Sequence, residues 1–231
     1  MATFIKNVVL VHGAFADGSS WAKVIPRLTA RGIKAVAVQN PLSSLVDDVE
    51  ATVRVIEMQE GPVLLAGHSW GGGVITEAGN HPQVAGLVYI AAGTPDSGKS
   101  FNDWWDDYPP MPGAAEIEPY GEDYVAMTRE GVRKYFAGDL PEQEADVVYA
   151  TQGPLAVRCF DDLITTAAWR AKPSWYVIGE NDQTIPPKVQ RDSAQKLGAK
   201  TLSLPTSHVP MLSRPDAVAD FIAEAASSMV F

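Results

Sequence analysis

The sequence predicts an α/β fold: one parallel sheet covered by helices on both faces, interrupted by a single long insertion. Three observations lead there. Six short runs of apolar and β-branched residues recur along the chain, most of them continuous rather than alternating, which is how strands buried on both faces read. Segments of helical period lie between most of these runs, the alternation of a βα architecture. A length of 231 residues suffices for one sizeable core and is short for two.

The first run is NVVLV (7–11), ending at His12 and Gly13, and the second is IKAVAV (33–38). Residues 44–60 then place Leu45, Val49, Val53 and Ile56 on one helical face. The third run, PVLLA (62–66), leads through a glycine-rich corner into a helix-compatible stretch, and the fourth, GLVYIA (86–91), ends in AAGTPDSG. From Thr94 to about Trp169 no comparable strand is expected. FNDWWDDYPPMPG opens that stretch and pieces such as YVAMTREGVRKYF are compatible with helix, so residues 95–169 are expected to form a helical cap. SWYVIG (174–179), KTLSL (200–204) and a final helix over 217–231 complete a core of residues 1–94 and 170–231.

The composition, 46% hydrophobic and 20% charged, is that of an ordinary globular protein. A formal net charge of −10 argues against a nucleic-acid partner, whose phosphates call for a basic face. MATFIKNVVLVHG lacks the basic flank, long apolar core and cleavage site of a secretory leader, and the longest apolar run, AGLVYIAAG (85–93), is far below a membrane span. The expectation is a soluble, cytoplasmic protein without a membrane partner, with monomer and homodimer both open. Cys159 is the only cysteine, expected as a small buried apolar residue, and the scattered histidines have no metal-ligand spacing.

Chemistry concentrates at GHSWGG. The pattern G-x-S-x-G is met by Gly67, Ser69 and Gly71; alone it arises by chance, but here it follows a buried strand and precedes a helix. A turn that sharp crowds the backbone two residues on either side of the serine, which is why glycine stands there. A helix starting beside Ser69 also directs free N–H groups at any oxyanion formed there. If the first and third strands are neighbours at the point where strand order reverses, the N–H of Ala14 faces that of Trp70, and the two together make an oxyanion site.

A nucleophilic Ser69 needs a base. His12 and His68 belong to the corner motifs, where fixing geometry is the expected task, and His81 sits at a helix end. His208, in LPTSHVPMLSRP, lies between the last strand and the last helix, at the same end of the sheet as Ser69. The carboxylate that would orient its imidazole is expected to be Asp182, after the fifth strand, with Asp96 and Glu180 as competitors. The order Ser69, Asp182, His208 suits this architecture.

VLVHGAF, GHSWGG, AAGTPDSG, VIGENDQTIP and SHVPMLSRPDAVADFI together resemble an α/β-hydrolase, nearest to bacterial relatives of the plant methylesterase and hydroxynitrile lyase group. The resemblance runs from Asn7 to the last helix and is weakest over residues 101–148. It implies the α/β-hydrolase fold with strand order 2-1-3-4-5-6, Ser69 as nucleophile, His208 as base, Asp182 as orienting acid, and Ala14 and Trp70 as oxyanion donors. The acyl-transfer route that these parts make possible requires no metal and no organic cofactor. The lyases of the group carry a lysine just after the catalytic histidine, where this chain has Val209, and a threonine near the first loop, which here reads HGAF. Cyanohydrin cleavage is therefore not expected. Hydrolysis of small to medium neutral carboxylic esters through an acyl-serine is, with a catalytically weak receptor-like protein, an amidase or a perhydrolase as alternatives.

Phe15, Trp70, Trp104, Trp105 and Tyr108 are candidates to wall the substrate cleft. Between Phe101 and Asp146 there are twelve acidic against three basic residues, so the cap holds nearly all the excess negative charge. A mouth of that sign repels anionic substrates and helps expel a carboxylate product; a plain solvated surface is the competing explanation.

Overall fold

A computed structural model of the protein describes residues 4–229. Its strands are β1 (Asn7–Val11), β2 (Lys34–Ala37), β3 (Val63–His68), β4 (Val84–Ile90), β5 (Ile117–Tyr120), β6 (Tyr124–Met127), β7 (Leu155–Ala156), β8 (Ser174–Gly179) and β9 (Lys200–Leu204). The six apolar runs of the sequence become a six-stranded sheet of order β2-β1-β3-β4-β8-β9, every neighbouring pair parallel. Every residue of β1 and β3 is buried, whereas the edge strands β2 and β9 are partly exposed. Continuous apolar character thus tracks strands with a layer on each face.

The helices are α1 (Ile25–Ala30), α2 (Leu45–Glu57), α3 (Gly71–Ala78), α4 (Phe101–Trp105), α5 (Arg129–Gly131), α6 (Glu142–Thr151), α7 (Pro187–Leu197), α8 (Pro210–Ser213) and α9 (Pro215–Ser228). The chain steps from β1 to β2 in one direction and from β3 onward in the other. Right-handed crossovers then put α1 on one face and α2, α3 and α7 on the other, with α9 packed beside α1 and α2 beside α3. The reversal between β1 and β3 opens a crevice at the carboxyl ends of these strands, in the open-sheet position where ligands bind. The last helix, expected to run to Phe231, is described to Ser228; residues 1–3 and 230–231 lie outside the described residues. Among the described residues no helix is long and apolar enough to cross a membrane. Cys159 is buried, its thiol against the carbonyl of Leu42 at 3.7 Å.

The insertion departs from the expected helical piece in one respect: β5, β6 and β7 form a three-stranded antiparallel sheet. YVAMTREGVRKYF is not one helix. Tyr124–Met127 is strand β6, and Thr128 accepts from the N–H of Gly131 through its side chain, capping α5, which passes into a π-helical turn at Val132–Phe136. Gly121, in a left-handed conformation (φ 77°), joins β5 to β6. The insertion is tied to the core by backbone bonds from Ala156 N–H to Leu42, Gly153 N–H to Ala16, and His208 N–H to Phe136.

Candidate active site

The site is built on the corner between β3 and α3. Ser69 has a φ of 52°, a left-handed conformation that costs a non-glycine residue about 1–3 kcal/mol and persists only where its surroundings over-determine it. Here they do. Its N–H donates to Ile90 at 3.2 Å, and its carbonyl accepts from Gly72 at 3.0 Å and Gly93 at 3.1 Å. The crowding expected at the flanking glycines is present: a Cβ on Gly67 would lie 2.5 Å from the carbonyl oxygen of Gly71, and one on Gly71 would lie 2.6 Å from that of Val11.

The structure brings Ser69, His208 and Asp182 together. The Oγ of Ser69 is 2.8 Å from Nε2 of His208, and Nδ1 of His208 is 2.7 Å from Oδ2 of Asp182. Asp182 also accepts from the N–H groups of Thr184 (2.8 Å) and Ile185 (2.9 Å) on Oδ1, and from Nε2 of Gln190 (2.7 Å) on Oδ2. Three donors besides the imidazole face this carboxyl group, so it acts solely as acceptor. Gln190 in turn cannot flip, because its Oε1 accepts from the N–H of Gly179 at 3.0 Å. Nδ1 of His208 therefore carries the hydrogen, leaving the Nε2 lone pair toward the Ser69 hydroxyl.

The backbone of His208 is held from both ends. Its N–H donates to Phe136 at 3.1 Å, and its carbonyl accepts from Nε2 of His68 at 2.8 Å. The ring is packed between Phe136 and His68, with centroids at 4.9 Å and 4.8 Å. Nδ1 of His68 has no partner among the described residues, as suits a neutral ring whose only hydrogen is on Nε2. Burial, reinforced by the neighbouring His208, holds its pKa well below the usual histidine value.

Gly13 brings the β1 loop against the corner: a Cβ there would lie 2.7 Å from the Cβ of Ser69. His12 braces that loop, donating from Nδ1 to the carbonyl of Gly13 (2.9 Å) and accepting on Nε2 from Asn40 N–H (3.0 Å). Desolvation lowers its pKa as well. Ala14 and Trp70 are buried, and among the described residues neither backbone N–H has a hydrogen-bond partner. Two free donors beside a serine hydroxyl are the equipment for holding a developing oxyanion.

Neither competing carboxylate is near the imidazole. Asp96 forms a bidentate pair with Arg170 and a second pair with Lys196, and its pKa falls to about 2, chiefly through Arg170. Glu180 pairs with Arg191. His81 lies in the turn between α3 and β4, within 3.9 Å of Glu57.

The expected cleft aromatics are distributed differently. Phe15 is buried directly after Ala14, at φ 56°. Trp104, Trp105 and Tyr108 form a ladder running outward from the corner: Trp70 touches Phe101 (5.7 Å), Phe101 touches Trp104 (4.9 Å), and Trp105 and Tyr108 follow. Trp104 and Tyr108 line a charged cleft with Asp96, Lys99, Arg170 and Lys196. A capping box at Ser100 and Asp103 starts α4, and its aromatic side chains pack on Phe101 and on one another. An apolar groove of about 250 Å³ is lined instead by Phe136, whose ring packs on that of His208, by Val209, which follows His208 in the chain, and by Leu140, Val147, Val148 and Leu212 among others. Sequence reasoning missed these residues; the apolar positions of α6 were the available signal. Among the described residues no cluster of three or more His, Cys, Asp or Glu side chains could hold a metal ion.

The depressed pKa values of His12 and His68 make stability pH-dependent. Below the ordinary histidine value of 6.5 the unfolded chain binds protons that these rings refuse, so their contribution is complete above pH 6.5 and is lost as pH falls. Asp48, pushed up to about 6 by burial, acts oppositely, since its protonated form favours the fold between its ordinary 3.8 and 6. The melting temperature is expected to fall from pH 6.5 to pH 5, and His68→Gln, which keeps an N–H donor for the His208 carbonyl, flattens that fall. Parallel slopes for the two proteins in a thermal melt series exclude His68 as the source.

The chain is similar to known proteins over nearly its whole length. A model of the alpha/beta hydrolase family matches residues 8–221. The chain is 27% identical to a pyrethroid hydrolase of Sphingobium wenxiniae over 97% of its own length and 89% of the relative's. It is 23% identical to methylesterase 1 of Arabidopsis thaliana, over 97% of both chains. A crystal structure of a pyrethroid hydrolase superposes with a TM-score of 0.82 at 25% identity, covering 96% of this chain and 98% of the other.

Proposed function

The chain belongs to the alpha/beta hydrolase family, and from that premise we propose that it hydrolyses carboxylic esters of small to medium neutral substrates through an acyl-serine. The observation that carries this is the unbroken hydrogen-bond chain from Ser69 through His208 to Asp182, beside two free backbone N–H groups. Relatives that are a pyrethroid hydrolase and a methylesterase support it.

Ser69 Oγ attacks the ester carbonyl carbon as Nε2 of His208 takes its proton, and the carbonyl oxygen, now negative, sits between the N–H groups of Ala14 and Trp70. Collapse breaks the bond to the alcohol oxygen, which leaves with the proton from Nε2. Water then gives a proton to Nε2, attacks the acyl carbon, and releases the acid as the proton returns to Ser69. Asp182 holds the imidazole in its tautomer and stabilises the imidazolium.

The groove of Phe136, Leu140, Val148 and Val209 suits an apolar arm of the ester. In this reading residues 1–94 and 170–231 supply the chemistry and residues 95–169 shape the cleft; the acidic insertion disfavours anionic esters. A fluorophosphonate probe is expected to label Ser69. Val148→Trp, which fills the groove, is expected to lower kcat/KM on octanoate esters about tenfold while sparing acetate esters. A p-nitrophenyl ester series of graded chain length checks both. Absence of labelling and of turnover across the series would remove the proposal.

A further inference from the structure

Asp48 is an acid where an acid is costly. It stands in the first turn of α2, fully buried, and desolvation dominates its environment. The mechanism above does not use it. Its two oxygens are both committed: Oδ2 accepts from the indole Nε1 of Trp70 at 2.7 Å, and Oδ1 accepts from the backbone N–H of Leu42 at 2.7 Å. Leu42 is itself left-handed (φ 58°), and its carbonyl accepts from Ala156 N–H at 2.8 Å, where the insertion returns to the core. One carboxyl group thus joins the residue that follows Ser69 to the strained loop on which the insertion is fastened.

We propose that Asp48 is a positioning residue for the oxyanion site: by holding the indole of Trp70 it sets the direction of the Trp70 backbone N–H beside Ser69. This rests on the reading of Trp70 as an oxyanion donor. The side chain of Trp70 is gripped at its far edge by Asp48 and on its ring by Phe101 at 5.7 Å, so the residue cannot rotate without breaking a buried hydrogen bond. The N–H must be aimed at an oxygen that moves as the carbonyl carbon becomes tetrahedral, and small errors of aim are costly there because transition-state charge is what the donor serves. A ground-state ester carbonyl, only weakly held by the same N–H, is far less sensitive.

The test uses Asp48→Asn, which keeps the volume but sets an NH2 against one of the two donors, and Trp70→Phe, which removes the indole donor. On a p-nitrophenyl ester each is expected to lower kcat about tenfold, short of the ~10²- to 10³-fold from deleting a donor outright, with KM within about twofold. Affinity for an aryl trifluoromethyl ketone, which forms a tetrahedral oxyanion on Ser69, weakens about tenfold in parallel. The double variant is expected to lose little beyond either single one, since both cut one link. Rates are referred to active sites titrated with fluorophosphonate, so a loss of folded protein is not read as a loss of kcat. If Asp48→Asn does not fold, Trp70→Phe alone decides. Wild-type kcat and ketone affinity in a folded variant, or fully multiplicative losses in the double one, overturn the proposal. A wild-type protein that binds the ketone no better than Ser69→Ala overturns the functional reading instead.

Discussion

Replacing Asp182 with asparagine is expected to lower kcat by about 10⁴-fold with little change in KM. The size follows from where an amide can fit. Oδ1 of Asp182 faces two backbone N–H groups, of Thr184 and Ile185, which cannot turn away. The NH2 of asparagine is therefore forced to the Oδ2 side, toward Gln190 and His208. Gln190 is held by Gly179 and by the carbonyl of Ile185, which its Nε2 reaches at 2.6 Å. The imidazole is the one partner able to adapt, by moving its hydrogen from Nδ1 to Nε2. In that tautomer Nε2 points a hydrogen at the Ser69 hydroxyl and has no lone pair to receive a proton. The donor-to-donor contact with Gln190 costs about 1–3 kcal/mol, a drop of several degrees in melting temperature for a domain of this size. Steady-state kinetics on an aryl ester together with the ¹⁵N shifts of His208 check both halves. An asparagine variant within tenfold of the parent, with Nδ1 still protonated, contradicts the orienting role.

The parts of the molecule legible in the sequence are those set by local chemistry. The β1, β3 and β4 strands read clearly because burial on both faces leaves them almost continuously apolar, and the corner at Ser69 read clearly because Gly67 and Gly71 leave room for backbone that a side chain would occupy. His208 and Asp182 could be nominated because both follow strands that end at one edge of a parallel sheet. The antiparallel hairpin was hidden: β5 and β6 have four residues each, and YVAM followed by TREG fits a helical window until Thr128 is recognised as a cap.

What the sequence does not display is the support behind the reacting atoms. Gln190 lies eight residues past Asp182 on another element, His68 reaches a carbonyl 140 positions away, and Asp48 meets Trp70 only when α2 packs on α3. Nothing local distinguishes such residues from ordinary helix or motif positions. The groove illustrates the same point from the other side. The apolar positions of α6 indicate that the helix covers something, and only the tertiary structure shows Val148 and Leu140 lining one groove with Phe136 and Val209.

Ser69→Ala is expected to reduce kcat by about 10⁶-fold, and the residue that remains should come from the two N–H donors and from substrate binding. Alanine keeps the backbone of the corner, because its Cβ occupies the same place and its φ preference matches that of serine; the fluorophosphonate label disappears and the fold persists. Glycine at the same position separates strain from chemistry. A φ of 52° is free for glycine and costs an L-residue about 1–2 kcal/mol, so Ser69→Gly is expected to be as inactive as Ser69→Ala yet more stable than it. That ordering, inactive in both and more stable in one, is what a nucleophile held on a strained turn requires: any L-residue at this φ bears the cost of the conformation, and glycine does not. Melting curves of the two variants against the parent, with turnover of an aryl ester followed to the limit of detection, are the measurements. Retained turnover in the alanine variant places the nucleophile elsewhere, and a glycine variant less stable than the alanine one shows that the corner is not under strain.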